Sequence, residues 1–444
     1  GGDRAFEQMV LARLIEPTSK AQVPCVLADL GLESASVRTL FRSLGRCIER
    51  DYRQAISAAA LKHAMAAGDV SLCLYDVTTL YFETEKEDEL RKVGYSKERR
   101  VDPQIIVGLL VDRAGFPLRI GCWESNRAET TTIVGVVEQF RQAAKVEPLV
   151  VVADAGMLSA ANLNALDEAG VGFIVGSRTT RAPGDLETHF HWHGDAFTDG
   201  QVIDTITPRR GSNTERDKSR KAEPVWDPHT HPGSWRAVWA YSKKRAARDN
   251  QTLTAQANRA RAVIAGEKRP KNTRFVTVRQ GDQVLDEASI ARARSLVGLK
   301  GYVTNIPSHL MDAGEVVSSY HELWHVEQSF RMSKHDLRAR PVFHHTRDAI
   351  EAHLTVVMAS LAVARYLWRV SPASKSKIQT CPQSTCGLHW DVDHEFMCAL
   401  NLLRGRNRRQ RVQAYHTISA RQTCIRSPLS KPYRAGAATV GGQV

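Results

Sequence analysis

Between residues 71 and 177 the sequence changes texture in an order that few folds accommodate. SLCLYDVTTLYF, residues 71–82, is rich in β-branched and aromatic residues and reads as a strand, followed by the charged loop ETEKEDELRKVGYSKERR. IIVGLLV and PLRIGCW then flank Asp112-Arg113-Ala114-Gly115, a strong hairpin signal. An amphipathic helix is predicted from about Glu129 to Ala144, and the fully apolar strand LVVVA follows and ends at Asp154. Ser159 is placed to cap the helix AANLNALDEAG, after which VGFIV makes another strand. Three strands of hairpin type followed by helix, strand, helix and strand describe an α/β protein with a mixed sheet flanked by helices.

The rest of the chain arranges itself around that unit. Residues 1–70 read as an N-terminal helical domain, with apolar-periodic runs from Phe6 to Ile15, Val26 to Leu32, and Ala35 to Cys47 behind a candidate Ser34 cap. A DNA-binding role for it rests on helix count alone. Residues 71–177 form the first part of the sheet core. Residues 178–300 are polar and turn-rich, apart from a basic helical run from Tyr241 to about Ile264, and read as a β-rich insertion domain. GYVTNI marks the return to the core, whose second part spans 301–370 and includes the apolar helix of 346–370, expected to cover the sheet. Beyond Ser371 periodicity is lost, and 371–444 reads as a basic tail.

Charge is unevenly spread. The net charge is +13, and nine of those charges fall as Lys or Arg in 400–444, which has no acid, leaving +4 for residues 1–399. A polyanionic partner is expected, with the tail supplying nonspecific attraction and the body relying on local patches. Eight cysteines without a compact framework fit a reducing compartment. No signal peptide is evident, and the longest apolar run, Leu354 to Trp368, contains Arg365 and is short for a bilayer, so a cytoplasmic protein with no membrane partner is expected. The chain opens at Gly1 without a methionine, which leaves room for a preceding native segment.

YHELWHVEQSFRMSKHDLRARPV carries the clearest functional pattern. Read as one helix, it aligns Tyr320, Trp324, Glu327, Arg331, Lys334 and Arg338 at spacings of four and three, placing one acid on a basic and aromatic face. Leu323, Val326, Phe330 and Leu337 form a second stripe about 90° around the helix, the face a core would bury. Two further acids end or interrupt strands, Asp76 in LYDVTTLYF and Asp154 in VVVADAGM. Such acids are usually turn or cap residues. In an open α/β sheet, however, strand ends are where reactive groups converge, and Glu327 could reach the same edge. Three carboxylates brought together repel unless a cation neutralises them, and Mg2+ prefers such hard oxygen ligands. In pairs, these ions stabilise both attacking and leaving oxygens of phosphoryl transfer. The adjoining Arg331, Lys334 and Arg338 would then hold a phosphodiester backbone.

These segments resemble the DDE transposases of bacterial insertion sequences, over about residues 8–370, through DVTTLYFE, VVADAGM and YHELWHVEQSFRMSKHDLRARPVFHHT. The resemblance implies a ribonuclease H-like core, a catalytic and metal-binding triad of Asp76, Asp154 and Glu327, and Mg2+ as cofactor with Mn2+ able to substitute. It also implies a signature of Tyr, Arg, Glu and Lys on the third-acid helix, which grips transposon-end phosphates. Tyr320, Glu327 and Lys334 match it, while Leu323 stands where the arginine is expected; Trp324 or Arg331 could compensate. The implied reaction is cleavage of a DNA strand by activated water at the element's end, then attack of the freed 3′ hydroxyl on target DNA. Double-stranded DNA and a homodimer on paired ends are the implied partners. A two-metal nuclease without strand transfer and a catalytically silent, transposase-derived DNA-binding protein are the rival readings.

Other signals point less far. His189, His191 and His193 alternate as on a strand face, without an evident fourth zinc ligand, and Cys381, Cys386, His389, His394 and Cys398 begin with CxxxxC rather than CxxC. GSRTTRAPG lacks the ending of a phosphate loop. Lys243, Lys244, Arg245 and Arg248 suit a solvated helix face and a DNA contact equally well.

Overall fold

The computed structural model describes residues 2–84, 86–94, 102–125, 132–157, 159–178, 182–183, 186, 198–209, 226–268, 273–279 and 282–370. They fall into two compact units, one of Gly1–Leu44 with the chain from Val363 on, the other Gly45–Ala362. The histidines of 189–193, the cysteine and histidine cluster of 381–398 and the basic tail lie outside the described residues.

In the first unit, helices α1 (Arg4–Ile15) and α2 (Val23–Asp29) pack together. Asp3 caps α1 by accepting from the Ala5 and Phe6 amides, and its other oxygen takes the Ser43 hydroxyl at 2.9 Å. Helix α3 (Val37–Glu49) starts later than the sequence suggests. Its first turn is closed by Ser36, whose hydroxyl accepts from the Thr39 amide; Ser34 instead donates to the Ala35 carbonyl.

The second unit is built on one eight-stranded sheet. Helix α4 (Tyr52–Ala67) leads into β1 (Leu72–Tyr81), β2 (Gln104–Asp112) and β3 (Pro117–Glu124), joined in antiparallel sequence. The β2–β3 turn closes on Asp112, whose carbonyl takes the Gly115 amide and whose carboxylate takes the Phe116 amide; Gly115 has φ +82°, which favours glycine. Helix α5 (Ile133–Ala144), β4 (Val150–Ala153), α6 (Ala160–Glu168) and β5 (Gly172–Ser177) follow, and Ser159 caps α6 by accepting from the Asn162 amide. Both β1–β4 and β4–β5 are parallel pairs. The strand order β3-β2-β1-β4-β5, with β2 alone reversed, is the mixed ribonuclease H-like arrangement expected from the sequence.

Two strands inside the presumed insertion extend this same sheet. β6 (Val202–Pro208) and β7 (Ser234–Tyr241) pair with each other, and β7 pairs with β10 (Leu299–Thr304), which itself runs antiparallel to β5. SWRAVWAY makes this possible, because Trp235 and Trp239 are both almost fully buried and β7 needs a neighbour on each side. Between β7 and β10 lie the long helix α7 (Lys243–Ile264), a separate hairpin of β8 (Val276–Arg279) and β9 (Asp282–Leu285), and α8 (Glu287–Ser295).

The two faces of the sheet differ in what covers them. Cys73, Tyr75, Val77, Val151, Ala153, Phe173 and Val175 join one apolar core with Val136, Val137 and Phe140 of α5 and Leu163 and Leu166 of α6. The alternate strand positions face away from that core, because side chains alternate along a strand. Against the sheet also pack α9 (Ala313–His321), on β4 to β7, and α10 (Trp324–Arg331), on β1 and β2. Helix α11 (Arg347–Val370) closes the described chain. Its span Arg347–Arg369 is long and apolar enough to cross a bilayer, longer than the sequence reading allowed, yet 67% of its apolar window is buried inside the protein. That burial marks a core helix rather than a lipid-facing one.

The extension is locked by one buried charge. Arg236 on β7 is fully buried; its Nε and Nη2 donate to Asp204 on β6, the latter at 2.6 Å, and Nη1 donates to the carbonyls of Ile306 and Met311 at 3.0 and 2.6 Å. Arg236→Met should strand an acid and two carbonyls, costing about 3–5 kcal/mol. Urea unfolding checks this; a loss under about 1 kcal/mol contradicts it.

Candidate active site

The parallel register of β1 and β4 pairs Leu72 with Val150 and continues to Tyr75 with Ala153. Asp76 and Asp154 each directly follow a member of this last pair, whose strands lie about 4.8 Å apart. Asp76 lies between the core residues Tyr75 and Val77 and so faces away from that core, whereas Asp154 follows the last residue of β4. β4 ends at Ala153, whereas β1 continues to Tyr81, so Asp76 lies where β1 loses its β4 neighbour. Asp76 is half-buried, with Oδ1 accepting from the Val77 amide at 2.8 Å, and Asp154 is exposed.

The third candidate acid, Glu327, stands on α10. Leu323, Val326, Phe330 and Leu337 are all buried, as their spacing predicts. Two contacts tie α10 and the turn before it to the β2–β3 turn: the buried Ser329 hydroxyl on α10 donates to the Gly115 carbonyl at 2.7 Å, and Arg113 makes two bonds to Glu322 in the preceding turn, at 2.9 and 2.7 Å. Trp324, Glu327 and Arg331 share the exposed face of this helix, and the Trp324 ring lies on His325.

The continuous stripe read from 320 to 338 does not survive. The chain turns at Glu322 and Leu323, separating α9 from α10, and residues 332–336 widen into a π turn closed by the Leu337 amide on the Met332 carbonyl. Helical phase is lost at both places, because a π turn holds more residues than an α turn. Lys334 therefore sits half-buried in the π turn, and Arg338 lies beyond it at φ +44°. Tyr320 is parted from the stripe altogether.

Tyr320 meets Asp154 instead. Its hydroxyl donates to Asp154 Oδ1 at 2.9 Å. Its ring packs edge-on against Tyr302, centroids 4.8 Å apart, and the Lys300 ammonium lies 5.2 Å from the ring centre. Lys300 and Tyr302 alternate on β10, and Tyr302 pairs with Gly176 on β5. Burial and then the neighbouring Asp154 carboxylate push the Tyr320 phenol well above its ordinary range. Burial lowers the Lys300 ammonium, an effect Asp154 opposes and Arg245 adds to; His321 is lowered by burial, Arg245 and Lys300. Arg245 thus belongs to this electrostatic neighbourhood, at the start of α7. Sequence reading passed over Lys300, Tyr302 and Gly176, although a Lys and a Tyr two apart in the apolar strand LKGYVT are an available signal.

The Asp76 and Asp154 carboxylates are hard oxygen donors, of the kind a divalent ion takes one or two of while filling its remaining positions from water or phosphate. Among the described residues no three His, Cys, Asp or Glu side chains are grouped closely enough to hold a metal together, so the structure does not assemble Asp76, Asp154 and Glu327 into one cluster.

A family model described as a transposase DDE domain matches residues 68–363. Among solved structures, the chain is similar to a cryo-EM structure of the piggyBac transposase synaptic complex with hairpin DNA, with 9% identity and a TM-score of 0.42, covering 96% of this chain and 72% of that one. No curated protein matches the chain.

The two ties of α10 should differ in strength. Ser329→Ala leaves the buried Gly115 carbonyl without its hydroxyl donor and should cost about 1–3 kcal/mol. Arg113→Ala, at an ion pair with a half-exposed arginine, should cost under about 1 kcal/mol. Denaturant unfolding of both variants checks the order, and the reverse order contradicts it.

Proposed function

Since the chain belongs to the transposase DDE domain family, we propose that it cuts DNA strands at the ends of a mobile element and joins the freed 3′ ends to target DNA. The observation that supports this reading is the β1–β4 register, in which Asp76 and Asp154 directly follow the last paired residues, Tyr75 and Ala153. In this reading Asp76, Asp154 and Glu327 are the catalytic acids and hold Mg2+, with Mn2+ able to replace it. A divalent ion held there supplies Lewis acidity toward a phosphodiester and lowers the proton affinity of water.

The chain's own residues orient the reacting strand. Asp76 is half-buried and accepts from its neighbour's amide; Asp154 is exposed, where DNA would approach, and accepts from the Tyr320 hydroxyl. Glu327, projecting from a helix fixed by its buried stripe, completes the set. Trp324 and Arg331 flank it and are suited to a base or sugar and to a phosphate. Lys334 and Arg338 extend the basic surface. The segments 71–177 and 301–370 form the catalytic core, 178–300 reaches toward DNA from within the same sheet, 1–70 contributes DNA contacts, and the basic 371–444 adds sequence-independent affinity. Paired element ends call for a homodimer, acting in the cytoplasm where bacterial DNA lies.

Asp76→Asn and Glu327→Gln should each lower Mg2+-dependent strand cleavage by about 10³-fold or more, since the lost electrostatic stabilisation amounts to several kcal/mol. Affinity for duplex DNA should hold within about twofold. Cleavage assays with gel-shift controls test this, and full activity in either variant removes the assignment.

A further inference from the structure

The Tyr320 phenol is turned inward, toward Asp154. Besides the 2.9 Å bond to Asp154 Oδ1, a second observation indicates that its place is built for it. A Cβ at position 176 would lie 2.5 Å from the Tyr320 oxygen and 3.0 Å from Cζ, so the space the phenol fills exists only because residue 176 is glycine. The Tyr302 ring and the Lys300 ammonium fix the phenol from the β10 side. The turn at Glu322 and Leu323 separates Tyr320 from the exposed face of Trp324, Glu327 and Arg331. A phenol hydroxyl that donates to one carboxylate oxygen restricts the rotation of that side chain. Among the described residues, no side chain donates to the other oxygen, Oδ2.

We propose that Tyr320 is a positioning residue for Asp154, presenting Oδ2 to the divalent ion, and not a contact for DNA. The inference rests on the reading of Asp154 as an ion ligand. It also predicts that Gly176 serves the same purpose indirectly, by leaving room for the hydroxyl.

The test uses the full chain and two readouts that need no turnover: calorimetric titration with Mn2+ in the absence of DNA, and anisotropy of a labelled DNA duplex in the presence of a chelator. Tyr320→Phe should weaken Mn2+ binding by about three- to tenfold, the usual worth of one hydrogen bond, and leave duplex affinity unchanged. Gly176→Ala should shift Mn2+ binding in the same direction, although its phenol is intact. A fall in duplex affinity with unchanged Mn2+ binding in Tyr320→Phe would make the residue a DNA contact and overturn the proposal, as would no change in either. Asp154→Asn separates the two levels of the argument. If it binds Mn2+ like the unaltered protein, the ion-ligand reading itself fails; if it loses Mn2+ while Tyr320→Phe does not, only the positioning role fails.

Discussion

The pairing register of β1 with β4 is the constraint on which the site depends. Side chains alternate with a period of two, so a slip of one residue would carry Asp76 into the core and Tyr75 out of it. The core prevents that slip: Cys73, Tyr75, Val151 and Ala153 are all but inaccessible, and the Tyr75 hydroxyl is satisfied inside by Thr132 at 2.8 Å. A slip would displace Leu72, Leu74 and Val152, which are buried on the other face, and would leave a carboxylate among α5 and α6. Asp76 therefore faces away from this core because Tyr75 and Val77 must face it.

A helix supplies the third acid, and its packing explains an apparent departure of the sequence. Leu323 occupies the position where the resemblance implies a phosphate-gripping arginine, yet it is buried with Val326 and Phe330. An arginine there would be directed at the sheet rather than at solvent. Positive charge near Asp154 comes instead from Lys300 on β10 and Arg245 at the start of α7. The half-burial of Lys300 keeps it close to both the phenol and the carboxylate without a direct ion pair among the described residues. The basic character of this site is thus distributed over elements far apart in the chain.

What could be read from sequence was what local chemistry decides. Gly115 closes the β2–β3 turn, Ser159 caps its helix, LVVVA is a strand and the Leu323 stripe is buried, each from signals within a few residues. What could not be read depends on distant partners. The interruption at Glu322 coincides with its bidentate bond to Arg113, 209 residues away, and the place of β7 follows from pairing on both sides and from the Arg236 lock. The likeness in chemistry between Tyr320 and the basic residues after it suggested a shared face. A turn and a π turn, neither with a distinctive sequence mark, divided that face. Asp76 and Asp154 lay between these cases, since their strands were legible but the pairing of β1 with β4 required the sheet order.

In the proposed function, Asp76 and Asp154 hold a divalent ion that Glu327 joins when DNA is engaged. A crystal structure with Mn2+ and a DNA duplex, read by anomalous scattering, tests it most directly. The account predicts a peak between the Asp76 and Asp154 carboxylates, with Glu327 drawn to the same ion or to one beside it. Manganese bound elsewhere, with Asp76 and Asp154 making no contact to it, would contradict the account.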